Sequence, residues 1–192
     1  MNSESKLFDY IEQFMPLTAD ERSVLSEFNL FHFFEKGMVI LEEGDNTDIN
    51  FFVLEGCVRC YYVVDGEEKT TAFYTENENF APDVDIHAKS KFYASCVENS
   101  IILVSDSKME KVFFEKFPRF ETLCRLLSEK LVAKIQSDFD IFKLSSPEER
   151  YIHLVENRPD LIQRVPQHFI ASYLGITPVS LSRIRGRLAK KV

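Results

Sequence analysis

A chain of 192 residues in which 45% of side chains are apolar, with 18 Phe in all, holds one or two compact domains with real cores and is not disordered. No apolar run reaches membrane-spanning length, and the opening Met1-Asn-Ser-Glu-Ser-Lys6 lacks a signal peptide's apolar stretch, so a soluble cytoplasmic protein without a membrane partner is expected. The net charge of −8 is unevenly spread: residues 161–192 carry six Lys/Arg and no Asp/Glu. An acidic body attached to a polyanion-binding module is the reading this split favours over a merely solvated basic tail.

Residues 4–15 look helical. Thr18-Ala-Asp-Glu21 has the form of a capping box and predicts a second helix to about Phe28. From residue 30 to 105 the pattern changes to short runs of Phe, Val, Ile and Tyr separated by turn residues: Glu35-Lys-Gly37, Glu43-Gly-Asp-Asn46, Glu55-Gly56, Val64-Asp-Gly-Glu67 and Glu76-Asn-Glu-Asn79. Strands punctuated at roughly ten-residue intervals argue for a β-sandwich or barrel, with Asp65-Gly66 as its clearest hairpin turn.

Cys57-Val-Arg-Cys60 is formally a C-x-x-C, but in a strand residues three apart point to opposite faces, and no second pair stands at metal-binding spacing. Reduced structural thiols are expected. The four histidines are scattered singly, without a zinc-protease or paired-ligand spacing, so neither a metal site nor an enzyme is expected.

Residues 107–116 read as a short helix. A long one runs from about Arg119 to Phe142, with Leu123, Leu127, Leu131, Ile135 and Phe139 at four-residue steps. That stripe is the candidate spine of a homodimer. Ser146-Pro-Glu-Glu149 then starts another helix with an N-cap, a proline at the first helical position and a glutamate at the third, and it should reach Asn157. Pro159 is expected to break the chain there, and Leu161-Ile-Gln-Arg-Val165 reads as a short strand. The expected divisions are 1–117, 118–144 and 145–192.

The last segment carries the most specific signal. Phe169, Ile170, Tyr173 and Leu174 recur at helical spacing, and Gly175 stands where a helix can stop with positive φ. Thr177-Pro178 then offers an N-cap and a first helical residue, and Leu181, Ile184 and Leu188 form the apolar stripe of a second helix. Two helices around such a turn are a helix-turn-helix, whose second helix enters the DNA major groove by its N-terminal part. Val179, Ser180, Ser182 and Arg183 are the candidates for base edges, and the Arg183 guanidinium suits guanine O6 and N7 together. Arg185, Arg187, Lys190 and Lys191 come later and suit phosphate. Gln167 and Thr177 stand at helix starts, where backbone N–H groups favour a phosphate.

Lys36-Gly37, Glu43-Gly-Asp45, Phe51-Phe-Val-Leu-Glu-Gly-Cys-Val-Arg59, Asp65-Gly-Glu67 and Ala171-Ser-Tyr-Leu-Gly-Ile-Thr-Pro-Val-Ser-Leu-Ser-Arg183, in that order, resemble the Crp/Fnr family of bacterial transcription regulators. The resemblance implies an α+β chain: a double-stranded β-helix (jelly-roll) domain like those that bind cyclic nucleotides, a long dimerisation helix, and a C-terminal helix-turn-helix of winged-helix type with its wing reduced. It further implies a homodimer on roughly palindromic double-stranded DNA, with RNA polymerase as a partner.

In the family's nucleotide-binding members a Gly-Glu pair and a downstream Arg-Ser or Arg-Thr hold the cyclic nucleotide. Here the corresponding residues are Ala81-Pro82-Asp83 and Lys89-Ser90, with no arginine between Arg59 and Arg119. Lysine does not reproduce the bidentate contact of arginine with phosphate, so tight binding of cyclic AMP is not expected and the effector is open. No cysteine precedes Cys57, which leaves out the N-terminal iron–sulfur cluster of other branches, and His32 and His87 stand alone rather than as haem ligands. Many relatives carry Arg-Glu directly after the cap residue and an arginine four residues beyond that glutamate. Pro178 and Val179 replace the first two, Arg183 is kept, and Val179 suits a thymine methyl. Two alternatives remain open: a ligand-binding or protein-interaction module with only non-specific DNA affinity, and a metal-dependent β-barrel enzyme, which the missing histidine motif disfavours.

Overall fold

The computed structural model describes residues 3–27, 30–83 and 85–190, so Phe28 and Lys191 lie outside the described residues. The chain divides into two compact units, one made of Met1–Arg59 and Phe73–Leu131, the other of Cys60–Ala72 and Val132–Val192.

Among the described residues eight strands form two four-stranded sheets. They are β1 (Phe31–Phe34), β2 (Val39–Leu41), β3 (Asn50–Glu55), β4 (Val58–Val64), β5 (Glu67–Tyr74), β6 (Glu78–Phe80), β7 (Tyr93–Cys96) and β8 (Ser100–Ser105), in the orders β1-β8-β3-β6 and β2-β7-β4-β5. All the registered pairings are antiparallel: Phe31 faces Leu103, Phe51 faces both Val104 and Phe80, and Val39 faces Ser95. This is the expected double-stranded β-helix. Each of the five turn clusters read from the sequence falls at a strand boundary, and the hairpin turn has positive φ at both Asp65 (53°) and Gly66 (77°), as a two-residue hairpin loop requires.

In the first unit, alternation drives one face of each strand inward. Phe51, Val53, Phe73, Phe80, Ala94 and Ile102 are buried, and the Phe80 ring stacks on Phe51 and Tyr74 at 4.8 and 4.7 Å between centroids. Cys57, Cys60 and Cys96 are buried in the roll, and burial pushes the Cys96 thiol up.

A second core of this unit is helical. Leu7, Phe8 and Ile11 of α1 (Ser3–Ile11), Val24 and Leu25 of α2 (Ala19–Glu27), Phe113 of α3 (Ser107–Lys116), and Phe120 and Leu123 of α4 (Arg119–Leu144) cluster with Leu54. The Thr18 capping box forms: Thr18 N–H donates to Glu21 Oε2 at 2.8 Å, and Glu21 N–H donates to Thr18 Oγ1 at 3.3 Å. The same buried Glu21 accepts from Arg119 Nε at 2.5 Å, which ties α2 to the start of α4.

The second unit contains the remaining helices: α5 (Pro147–Asn157), α6 (Pro159–Arg164), α7 (Gln167–Tyr173) and α8 (Pro178–Leu188). The expected strand at 161–165 is instead helix α6. Proline needs no backbone donor at a first helical position, so Pro159 starts a helix there, and buried Leu161 and Val165 anchor it at a four-residue spacing. Among the described residues no strand follows Ser105 and no helix is long and apolar enough to cross a membrane.

Candidate nucleic-acid interface

The α7–α8 turn is built as its residues dictate. Gly175 has φ +69°, Ile176 N–H donates to Ala171 O at 3.0 Å, and Gly175 N–H donates to Ser172 O at 3.0 Å, which together close α7 in a Schellman motif. Thr177 is the N-cap of α8, its Oγ1 accepting from Ser180 N–H at 3.2 Å, with Pro178 in the first turn. Leu181 and Ile184 are buried together with Ile170, Ala171 and Leu174 of the preceding helix. The remaining faces of α8 are left to solvent.

Val179 and Arg183 are exposed and four residues apart, so they share one side of α8. Ser182 and Arg185 are also exposed, and with Gln167 they border a cleft of about 630 Å³ floored by Tyr151, Ile152 and Val155 of α5. Ser180 is half-buried, its hydroxyl 3.0 Å from that of Thr177, so it serves the cap. Arg187 donates to Glu148 Oε2 at 2.6 Å, binding α8 to the start of α5, and Lys190 is exposed at the end of the described chain. No Asp or Glu lies on α7 or α8, so the surface these helices offer is positive.

Five further residues carry contacts that the sequence did not single out. Thr70 N–H donates to Ser172 Oγ at 2.9 Å, and Ser172 Oγ donates to Glu68 O at 3.1 Å, so the β4–β5 hairpin is bonded to α7. The Arg150 guanidinium lies over the Phe142 ring, 4.4 Å from its centroid. Contacts between residues this far apart leave no periodic signal in a sequence.

The proposed spine divides. Leu123 is buried in the helical core of the first unit and Leu127 packs against it, so these two face their own chain. Leu131 is half-buried, whereas Val132, Ile135 and Phe139 are 67%, 53% and 54% exposed.

In the roll, Ala81 is exposed and Pro82 and Asp83 are half-buried after β6, with Asp83 Oδ1 accepting from Asp85 N–H at 3.1 Å. Lys89 pairs with Asn46 in a single bridge and is exposed. Ser90 is buried, and its hydroxyl donates to Phe92 O at 2.8 Å. Among the described residues no group of three or more His, Cys, Asp or Glu is placed to hold a metal.

A β-roll, a long helix and a helix-turn-helix on one chain have the architecture of the Crp/Fnr transcription regulators, and the resemblance read from the sequence holds. No family model matches the chain. It is 24% identical over 168 residues to the regulatory protein HlyX of Actinobacillus pleuropneumoniae, covering 81% of this chain and 70% of that protein. The fold matches the c-di-GMP-responsive global regulator CLP of Xanthomonas campestris with a TM-score of 0.70 at 12% identity, over 91% of this chain and 93% of that one. It matches a CooA mutant of Carboxydothermus hydrogenoformans with a TM-score of 0.67 at 19% identity, over 84% and 76% of the two chains.

Proposed function

We propose that this protein is a homodimeric transcription regulator of Crp/Fnr type that reads a roughly palindromic duplex through paired α8 helices. The observation that carries the reading is the exposed pair Val179 and Arg183 at the start of a capped, acid-free α8. In this reading Arg183 reads guanine, Val179 meets a thymine methyl, and Ser182 lies beside them. Arg185, Lys190, Gln167 and Thr177 hold phosphates, which positions the helix without reading sequence. Arg187 reaches phosphate from its place beside Glu148. RNA polymerase is the partner that turns occupancy of such a site into a change of transcription.

The β-roll is the sensor domain, and its effector is not cyclic AMP. Supporting this, Pro82 and Asp83 stand where the cyclic-nucleotide cassette has Gly-Glu, Lys89 is exposed, and the Ser90 hydroxyl is bonded to backbone. The test is a selection of bound sequences from random duplex DNA at physiological salt, with and without cyclic AMP. A palindrome enriched equally in both is the expected result. Enrichment only with the nucleotide overturns the reading of the roll, and none in either condition overturns specific DNA recognition. On the enriched duplex, Arg183→Ala relaxes or abolishes preference over scrambled DNA, with a loss of at least about 1–3 kcal/mol. Arg187→Ala weakens binding to both duplexes alike and lowers the salt slope by about one.

A further inference from the structure

The start of α5 meets the helix-turn-helix at two places in the second unit. Glu148 holds Arg187 of α8. Arg150, two residues further, lies against the end of α4 near the turn itself. Its guanidinium covers the Phe142 ring at 4.4 Å, and its Nε is buried without a hydrogen-bond partner among the described residues. Nothing polar holds that nitrogen, so the aromatic face is what holds this part of the side chain. Gly175 stands near both. A Cβ built there would lie 3.4 Å from Phe142 Cε2 and 3.9 Å from Arg150 Nη1. The positive-φ turn that starts the recognition helix therefore faces a ring carried by α4 across the space a Cβ would fill, with the Arg150 cation beside them.

We infer that Arg150 is a positioning residue for DNA reading: stacked on Phe142 beside Gly175, it fixes the angle at which α4 presents α8. The inference rests on the DNA-binding reading above. The geometry gives it a definite signature. A group that sets the aim of α8 affects contacts with base edges, which need alignment within about an ångström, far more than contacts with phosphates, which long flexible side chains can remake. A phosphate ligand would do the reverse. The effect must also pass through the ring, because the stack is the link between Arg150 and α4.

The test uses the full chain and two duplexes, the one enriched in the wild-type selection and a scrambled control, titrated over several salt concentrations. Arg150→Met, Phe142→Leu and the double variant are compared. Each single variant is expected to lose about tenfold in affinity for the enriched duplex, with scrambled binding and salt slope unchanged, and the double variant is expected to be no worse than either single one. Circular dichroism checks that each is folded. If Arg150→Met does not fold, Phe142→Leu decides, since its ring is half exposed. Unchanged specificity in that variant overturns the inference. So does a loss shared equally by both duplexes with a shallower salt slope, which would make Arg150 a phosphate ligand. A wild-type protein that enriches no sequence would instead remove the DNA-binding reading on which the inference rests.

Discussion

Gly56 turns the chain from β3 to β4 with φ +104°, and a Cβ built there would lie 2.2 Å from Ser100 Oγ and 2.8 Å from Ser100 Cα. The second distance is to backbone, so the neighbour cannot swing away, and the φ is one that side chains with a Cβ rarely adopt. Gly56→Ala is expected to destabilise the first unit by about 3 kcal/mol or more, read as a lower urea midpoint at unchanged slope. The turn was legible in the sequence, because Glu55-Gly56 interrupts two apolar runs. The clash was not, because Ser100 is far along the chain. The same division holds at the recognition turn. Gly175, Thr177 and Pro178 announce themselves by local chemistry, whereas Phe142 and Arg150 look like one more aromatic and one more charge on helical segments.

At the level of elements, local signals again separate from distant ones. Capping boxes at Thr18 and Ser146 predicted helix starts because their partners stand three residues away, and both form. Leu161-Ile-Gln-Arg-Val165 misled because apolar residues at 161 and 165 fit either period, and the fold decided for the helical one. The pairing of α2 with α4 through Glu21 and Arg119 had no sequence trace. Burial works to raise the Glu21 carboxyl, but hydrogen bonds from Arg119 and Thr18, with the charge of Arg119, outweigh it and hold the group below its ordinary value of 4.5. A carboxyl depressed in the folded state adds stability that is fully present above its unfolded value, and this is lost as the pH falls below 4.5 toward the folded one. Glu21→Gln keeps the capping geometry and removes the charge. Its expected cost is about 1–2 kcal/mol at neutral pH, since Arg119 remains partly in water. Urea melts at pH 7 and pH 3.5 check this. The gap between wild type and variant should narrow at the lower pH, and a constant gap would show that the charge is not what stabilises the pair.

For the whole molecule the question is what covers α4 beyond Leu131. Val132, Ile135 and Phe139 are more than half exposed and stand three and four residues apart, which is the seam spacing of a two-stranded coiled coil. Such a row of large apolar residues left in water is rare on a monomer. The sequence marked the stripe but not where along it the chain's own core ends and a partner's surface begins, because Leu123 and Ile135 look alike until the helical core claims the first. A parallel second copy would cover this seam and set two α8 helices to read the two halves of a palindrome, each residue of the seam acting twice by symmetry. Phe139→Asp places two carboxylates against each other in that seam, yet Phe139 is exposed in the single chain, so the fold should survive. The expected result is a monomer by sedimentation with an unchanged circular dichroism spectrum, and at least about a hundredfold weaker binding to the full palindrome, because the second half-site no longer gains from linkage to the first. Affinity for an isolated half-site should be unchanged. A Phe139→Asp protein that sediments as a dimer would place the interface elsewhere, and a monomer that binds the full palindrome as tightly as wild type would remove the need for a dimer in recognition.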